Sequence, residues 1–170
     1  MRLSLARSVV RIRPARPADA AAIARIYNQG IEDRIATLET GLRTEADRME
    51  WLRHRDPRYG VLVAETADEV VGWFSLNPFS VRQAYRFVAD FSLYVERAWR
   101  GRGVGARLLD AGIRLARRHG FHKLVLTMLP ENEAARHLYR RYGFEPVGVF
   151  HEQGWVDGRW RDTLVMERIL

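Results

Sequence analysis

The sequence predicts a mixed α/β domain with a central sheet flanked by helices. Three observations carry this. Strand-like and helix-like segments follow one another along most of the 170 residues, in the order β-α-α-β-β-β-α-β-α-β-β. A glycine-rich turn at residues 101–105 joins a strand to a helix whose apolar stripe has helical spacing. The hydrophobic share of 47% and charged share of 29% are those of an ordinary globular chain able to bury a core. Repeats, low-complexity blocks and Pro/Gly/Ser-rich linkers are missing, so one domain is expected over residues 9–170 after a short tail at 1–8.

Each element has a local reason. Val9 to Arg13 alternates apolar and charged residues before Pro14 and Pro17, which reads as a strand entering a turn. Asp19 to Gly30 places Ile23, Ile26, Tyr27 and the following Ile31 at helical spacing, behind an acid that suits a helix start. Thr44-Glu45-Ala46-Asp47 is a capping-box pattern opening a second helix, which ends at Asp56-Pro57. Val61 to Glu65 and Val70 to Phe74 form a hairpin across Thr66–Glu69, and Asn77-Pro78-Phe79-Ser80 opens a loop. Phe87 to Val95 is a longer strand. The helix from Val104 to His119 carries the stripe Val104, Leu108, Ala111, Leu115, ends in basic residues and stops at Gly120. Leu124 to Thr127 is a buried strand, and Ala134 to Tyr142 is a helix stopped by Gly143. Two strands at Pro146–Phe150 and Asp162–Glu167 flank an Asp157-Gly158 hairpin signal.

Composition excludes several chemistries. There is no cysteine, which removes disulfides, thiol nucleophiles and Cys-ligated metals, and fits a reducing cytoplasm. No apolar run approaches the roughly 20 residues that span a bilayer, and the first ten residues lack the apolar core of a secretory signal. The five histidines form no metal-site spacing, so no metal is expected. The net charge of +7 raises the question of nucleic acid. Of 28 basic residues, however, only Lys123 is lysine, as arginine-for-lysine drift in a GC-rich genome would produce, and no aromatic-interleaved basic motif is present. Neither nucleic acid nor membrane is therefore expected as a partner.

The segment Arg100-Gly101-Arg102-Gly103-Val104-Gly105 carries the chemistry. Glycines let the backbone turn tightly, and the first turn of a helix exposes unpaired N–H groups with partial positive charge. A strand–glycine turn–helix is thus a phosphate cradle. It is not a Walker loop, since no Lys-Ser/Thr follows, and its glycine spacing and late position do not fit a dinucleotide fingerprint.

These residues resemble the acetyl-CoA motif R/Q-x-x-G-x-G/A of the GNAT superfamily of N-acetyltransferases, matched by Arg100, Gly103 and Gly105. Asn132-x-x-Ala135-x-x-Leu138-Tyr139-x-x-x-Gly143-Phe144 resembles the superfamily's second signature. Ile26-Tyr27-Asn28, Thr37-Leu38-Glu39-Thr40, Arg82-x-x-Tyr85, Asp90 to Val95 and Asp157-Gly158-x-Trp160-x-Asp162 are similar to the phosphinothricin, methionine sulfoximine and arsinothricin N-acetyltransferase group. The likeness covers residues 9–170.

The resemblance implies a GNAT-type sheet with a splayed fourth strand, acetyl-CoA as co-substrate, and direct transfer to a small amino-acid-like amine in a ternary complex. The N–H groups of Gly101, Arg102, Gly103, Val104 and Gly105, with Arg100, would hold the pyrophosphate. Main-chain groups of Leu93, Tyr94 and Val95 would take the pantetheine arm, with Asn132 beside it. Tyr139 would be the general acid, at a position where the phosphinothricin group often has histidine. Asp90 would be the general base, with Glu96 and His151 as alternatives. Arg82 would clamp the acceptor's anionic group beside Tyr85, and Phe74 and Trp73 would line its pocket. A homodimer is implied, with Trp155 and Trp160 at the contact or the pocket wall. Protein N-terminal or ribosomal-protein acetylation, and a non-catalytic acetyl-CoA-binding module, stay open as alternatives.

Overall fold

The computed structural model describes residues 9–170, so the tail expected over residues 1–8 lies outside the described range. Seven strands form one sheet. They are β1 (Arg11–Pro14), β2 (Val61–Glu65), β3 (Val70–Pro78), β4 (Val88–Val95), β5 (Lys123–Met128), β6 (Glu145–Val156) and β7 (Arg159–Ile169). The helices are α1 (Ala20–Asp33), α2 (Glu45–Arg53), α3 (Val104–Arg118) and α4 (Glu133–Arg141). The strand order is β1-β2-β3-β4-β5-β7-β6. Every neighbouring pair is antiparallel except β4–β5.

Period-two alternation divides the strands between two apolar layers. On one side Ile23 and Ile26 of α1 pack on Val61, Val63, Val70 and Trp73. On the other, Leu108, Leu109 and Ile113 of α3 pack with Phe74, Leu76, Phe91 and Leu124, and α4 joins this layer through Tyr139. Gly112 allows the close approach, because a Cβ there would lie 2.4 Å from the Phe74 ring. Helix α2 has its full capping box: Thr44 Oγ1 accepts from the Asp47 N–H, and the Asp47 carboxylate accepts from the Thr44 N–H.

The feature that creates the site is a gap inside the sheet. β4 and β5 pair at only three positions, Val88 with Lys123, Ala89 with Leu124 and Asp90 with Val125. Beyond Asp90 the two strands part. β4 stays bonded to β3 as far as Val95 opposite Gly72, and β5 stays bonded to β7 as far as Met128 opposite Leu164. The splayed fourth strand is therefore present, with a main-chain edge facing the gap.

Three strand extents differ from expectation. β3 runs on to Pro78, past the loop expected at Asn77, because β4 supplies partners for Asn77 and Pro78 in Asp90 and Ala89. β6 is 12 residues long and begins at Glu145; nearly all of it is exposed, with bulges after Pro146 and Phe150. It carries no alternating pattern, so its length is dictated by β7. β7 in turn starts at Arg159, directly after the turn. That turn is the expected one: Asp157 and Gly158 both have positive φ, as a two-residue hairpin of this hand requires.

Candidate active site

The gap between β4 and β5 opens into two adjoining cavities. The first, of about 330 Å³, is lined on the β4 side by Asp90, Ser92 and Tyr94 and on the β5 side by Leu126, Thr127 and Met128. Tyr27 of α1, Tyr139 of α4 and Thr163 of β7 complete its wall. The α1–α2 connection crosses over it as a strap, contributing Ala36, Thr37, Leu38 and Glu39. The strap is anchored on the far side of the cavity. Asn132 Nδ2 donates to the Ile35 carbonyl at 3.0 Å, Arg34 pairs with Asp157 at 3.0 Å, and Leu38 sits over Gly154 of β6.

Asp90 enters this cavity from the α1 side of the sheet. Its carboxyl is largely removed from water, and burial pushes its pKa from 3.8 up to about 6, offset in part by a hydrogen bond from Asn77. No cation pairs with it among the described residues. Tyr139 enters from the α4 side, where its ring packs edge-on against Phe91 and Phe144. Burial, and then the negative charge of Asp90, raise its hydroxyl pKa well above the usual phenol range. At neutral pH this pair therefore offers one carboxylate able to take a proton and one hydroxyl able to give one.

The second cavity, of about 410 Å³, lies towards the start of α3 and shares Ala36, Leu93, Tyr94, Asn132, Ala135 and Tyr139 with the first. Its outer wall is the turn Arg100, Gly101 and Gly103 followed by Gly105 and Ala106. Gly101 and Gly103 have φ of 72° and 83°, a region that disfavours residues bearing a Cβ. Gly103 is the N-cap of α3 and supplies no side-chain acceptor. Helices α2 and α4 are capped by Thr44 and Asn132, whereas among the described residues no side chain caps the first N–H groups of α3, nor those of α1. Gly105 lies 3.4 Å from Leu138 by its virtual Cβ, so it also sets the close approach of α3 to α4. An extended ligand ending in phosphates fits these features: the open edge of β4 for its arm, the free N–H groups for its phosphates.

The structure brings most of the sequence-derived residues together. Asp90, Leu93, Tyr94, Val95, Arg100, Gly101, Gly103, Gly105, Asn132 and Tyr139 all line one or both cavities, and Val104 opens α3 beside them. Some side chains are otherwise engaged. Arg100 turns back to Asp33 and the Val95 carbonyl, so it braces the turn. Arg102 stacks on Trp99. Asn132 caps Ala135 with Oδ1 while holding the strap with Nδ2.

Other expectations need correction. Phe74 does not line the acceptor cavity; it is fully buried on the α3 side, stacked on Phe91 at 5.3 Å, because alternation along β3 turns it away from the α1 face. Trp73, its neighbour, packs in the α1 core against Tyr94 and Tyr27. Arg82 and Tyr85 stand exposed on the 79–87 loop, outside the cavity of the single chain, with Tyr85 edge-on to Phe79. Glu96 is tied to Gln29 at 2.8 Å, and His151 is an exposed residue on β6; neither lines the cavity that holds Asp90. Conversely, Ser92, Thr163 and Tyr27 line it without having been assigned to the site from the sequence, although Tyr27 and Ser92 lie in stretches that carried the resemblance. For Ser92, alternation from Asp90 would have been the available signal.

Comparison with known proteins agrees with this geometry. Residues 23–144 match the Acetyltransferase (GNAT) family. The chain is 35% identical over 158 residues to the L-methionine sulfoximine/L-methionine sulfone acetyltransferase of Pseudomonas aeruginosa, covering 92% of each chain. It is similar to the crystal structure of ribosomal-protein-alanine N-acetyltransferase from Brucella melitensis, with a TM-score of 0.90 and 37% identity over 94% of this chain and 99% of that one. It is also similar to a phosphinothricin acetyltransferase from Sinorhizobium meliloti solved in complex with acetyl-CoA, with a TM-score of 0.88 and 29% identity over 95% and 88% of the two chains. With the splayed sheet, the glycine turn and both signatures in place, the chain belongs to the GNAT family of acetyltransferases.

Proposed function

We propose that the protein transfers the acetyl group of acetyl-CoA directly to the amino group of a small amino-acid-like acceptor of the phosphinothricin, methionine sulfoximine or arsinothricin type. One observation carries the reading: the two cavities meet at Leu93, Tyr94, Asn132 and Tyr139, with a buried carboxylate on one side and an uncapped helix start on the other. The first N–H groups of α3 hold the pyrophosphate, and the gap-facing edge of β4 from Leu93 to Val95 receives the pantetheine arm and polarises the thioester oxygen. The acceptor lies under the strap, in a space suited to an amino acid.

The residues then divide the proton work. Acceptor ammonium gives one proton to Asp90 and becomes a nucleophilic amine. The amine nitrogen bonds to the thioester carbon, the carbon–sulfur bond breaks, and Tyr139 O–H donates to the departing sulfur; the second proton shed by the new amide nitrogen restores the Tyr139 hydroxyl, and Asp90 passes its proton to solvent. Protonation of Asp90 removes the charge that helps hold Tyr139 in its protonated form, so the first transfer eases the second.

The relatives' names favour both a small acceptor and, in the Brucella melitensis protein, a ribosomal-protein alanine. The strap favours the small acceptor, since it roofs the cavity that a protein terminus would have to enter. We also assign a homodimer. Trp155 and Trp160, paired edge-on at 5.1 Å on the β6–β7 hairpin and both exposed, are the apolar surface such a contact would cover.

A thiol-release assay with acetyl-CoA tests the acceptor class, using phosphinothricin, methionine sulfoximine, arsinothricin, ordinary amino acids and an alanine-ended peptide. Release with one of the small amino acids is expected. Release with the peptide alone overturns the small-acceptor reading, and failure of coenzyme A to bind overturns the whole assignment. Sedimentation as a monomer at micromolar concentration overturns the dimer.

A further inference from the structure

We propose that Asn77 is a positioning residue for the Asp90 carboxylate, and that Arg55 acts through it as the remote half of a salt bridge split by one amide. The proposal rests on the reading of Asp90 as the base, and it draws on contacts among the α2–β2 connection, β3 and β4.

Asn77 lies directly opposite Asp90 in the β3–β4 register. Its Oδ1 accepts two hydrogen bonds, from Arg55 Nη2 at 3.2 Å and from the fully buried Ser75 hydroxyl at 3.1 Å. Arg55 can only donate, so the amide atom it meets must be the oxygen, and the Ser75 hydroxyl then serves as a second donor. The amide nitrogen is then forced towards β4, where Nδ2 donates to Ser92 Oγ at 3.1 Å and to Asp90 Oδ1 at 3.4 Å. The amide dipole points its positive end at the carboxylate because a cation sits behind its negative end.

Neither charge has another counter-ion among the described residues. Arg55 stacks on Trp51 at 4.3 Å and donates to the carbonyls of Tyr59 and Leu76, but no carboxylate pairs with it among the described residues. Burial, and then the nearby Arg48, lower its pKa to about 10. Asp56 and His119 border the same groove as Arg55. Around Asp90, the titratable groups lining the cavity are Tyr27, Tyr94, Tyr139 and Glu39, and Glu39 is paired with Arg43 at 3.2 Å. Two half-buried charges of opposite sign, joined by a single oriented amide, stabilise each other through it. The linkage holds Asp90 ionised at a pH where burial alone would protonate it, and it aims one carboxylate oxygen while leaving the other for the acceptor.

The test is a ¹³C-carboxyl NMR titration of Asp90 in the full-length protein, with the pH profile of kcat/KM alongside. The variants are Asn77→Leu, Arg55→Met, Arg55→Lys and Ser75→Ala. The Asp90 midpoint is expected to rise by about one pH unit in Asn77→Leu, where a bond to the charged form is lost. It should rise by less in Arg55→Met, and Arg55→Lys should return it towards the wild-type value. The acidic limb of kcat/KM should follow, so activity lost near pH 6.5 is regained at pH 8.5; general damage to the fold would depress both alike. Arg55 also ties the α2–β2 connection to β3, so if Arg55→Met fails to fold, Asn77→Leu and Ser75→Ala decide. An Asp90 midpoint that stays put in the folded variants overturns the proposal. A midpoint that moves without the kinetic limb upholds the positioning and sinks only the reading of Asp90 as the base.

Discussion

Asp90 and Tyr139 reach the same cavity from opposite faces of the sheet. Asp90 is the last residue of β4 to pair with β5, and Tyr139 is the buried residue of α4. Had the parallel pairing continued to Val95, backbone hydrogen bonds would fill the space between them. The parting of the strands converts a sheet, normally a wall, into a passage where burial, and then a carboxylate on one side, raise the pKa of a hydroxyl on the other.

Asp90→Asn is expected to lower kcat/KM by about 10²- to 10⁴-fold. The wild-type rate should fall as pH drops through about 6, where the carboxylate takes up its proton. Asp90→Asn should lose that limb. Thiol release measured from pH 5 to 9 checks both, and an acidic limb that survives in the variant rules Asp90 out as its source.

The same substitution has a signature in stability. The Asp90 pKa is raised from 3.8 to about 6 in the folded protein, so between those values the folded state binds more protons than the unfolded one. Stability contributed by this group is complete below the lower value and is lost as pH rises through the higher. The loss is at most about 3 kcal/mol. Asp90→Asn should therefore unfold at higher urea than wild type at pH 7.5, with the advantage shrinking towards pH 4.

Tyr139→Phe keeps the ring that packs against Phe91 and Phe144 and removes only the hydroxyl. A fall in kcat of about 10²-fold is expected, the lower range for one general acid. Coenzyme A affinity by calorimetry should change less than twofold. Unchanged turnover would show that solvent protonates the leaving sulfur.

Gly112→Ala tests the contact between α3 and the sheet. The added methyl meets the Phe74 ring at 2.4 Å, and that ring is fully buried against Phe91. Overpacking of this kind costs about 1–3 kcal/mol, which outweighs the helix propensity gained by alanine. Urea unfolding reads the loss, and coenzyme A affinity should stay near wild type because the glycine turn is untouched.

Gly154→Ala tests the strap. A Cβ at this position lies 2.6 Å from Leu38 Cδ1 and must displace the side chain that seats the strap on β6. The acceptor KM should rise by about threefold to tenfold, a small loss of contacts. The affinity for coenzyme A should hold, since the α3 side of the gap is not involved. An unchanged acceptor KM would mean that the strap does not cover the bound acceptor.

Much of this architecture is legible in the residues themselves. The Thr44–Asp47 box, the Asp157-Gly158 turn and the α3 stripe ending at Gly120 are local signals, set by capping, positive φ and helical period. The glycine turn and the Asn132–Phe144 signature located the two cavities because backbone chemistry needs particular residues at particular spacings. Some side-chain assignments fared differently, although Asp90 and Tyr139 do line the cavity. Phe74 reads as a pocket aromatic until alternation along β3 turns it to the α3 face, and Arg100 reads as a phosphate ligand until Asp33, 67 residues away, claims its guanidinium.

By itself the sequence determined the order of elements, the helix start left without a cap, and the placement of a carboxylate five residues before the end of β4. Only the tertiary structure decided where β4 and β5 part, which residues face the resulting gap, and how Arg55, Asn77 and Asp90 form one chain of contacts. The reason is physical: capping, turns and periodicity act within a few residues. A gap in a sheet, a buried charge and its distant counter-charge depend on partners brought together only when the whole chain packs.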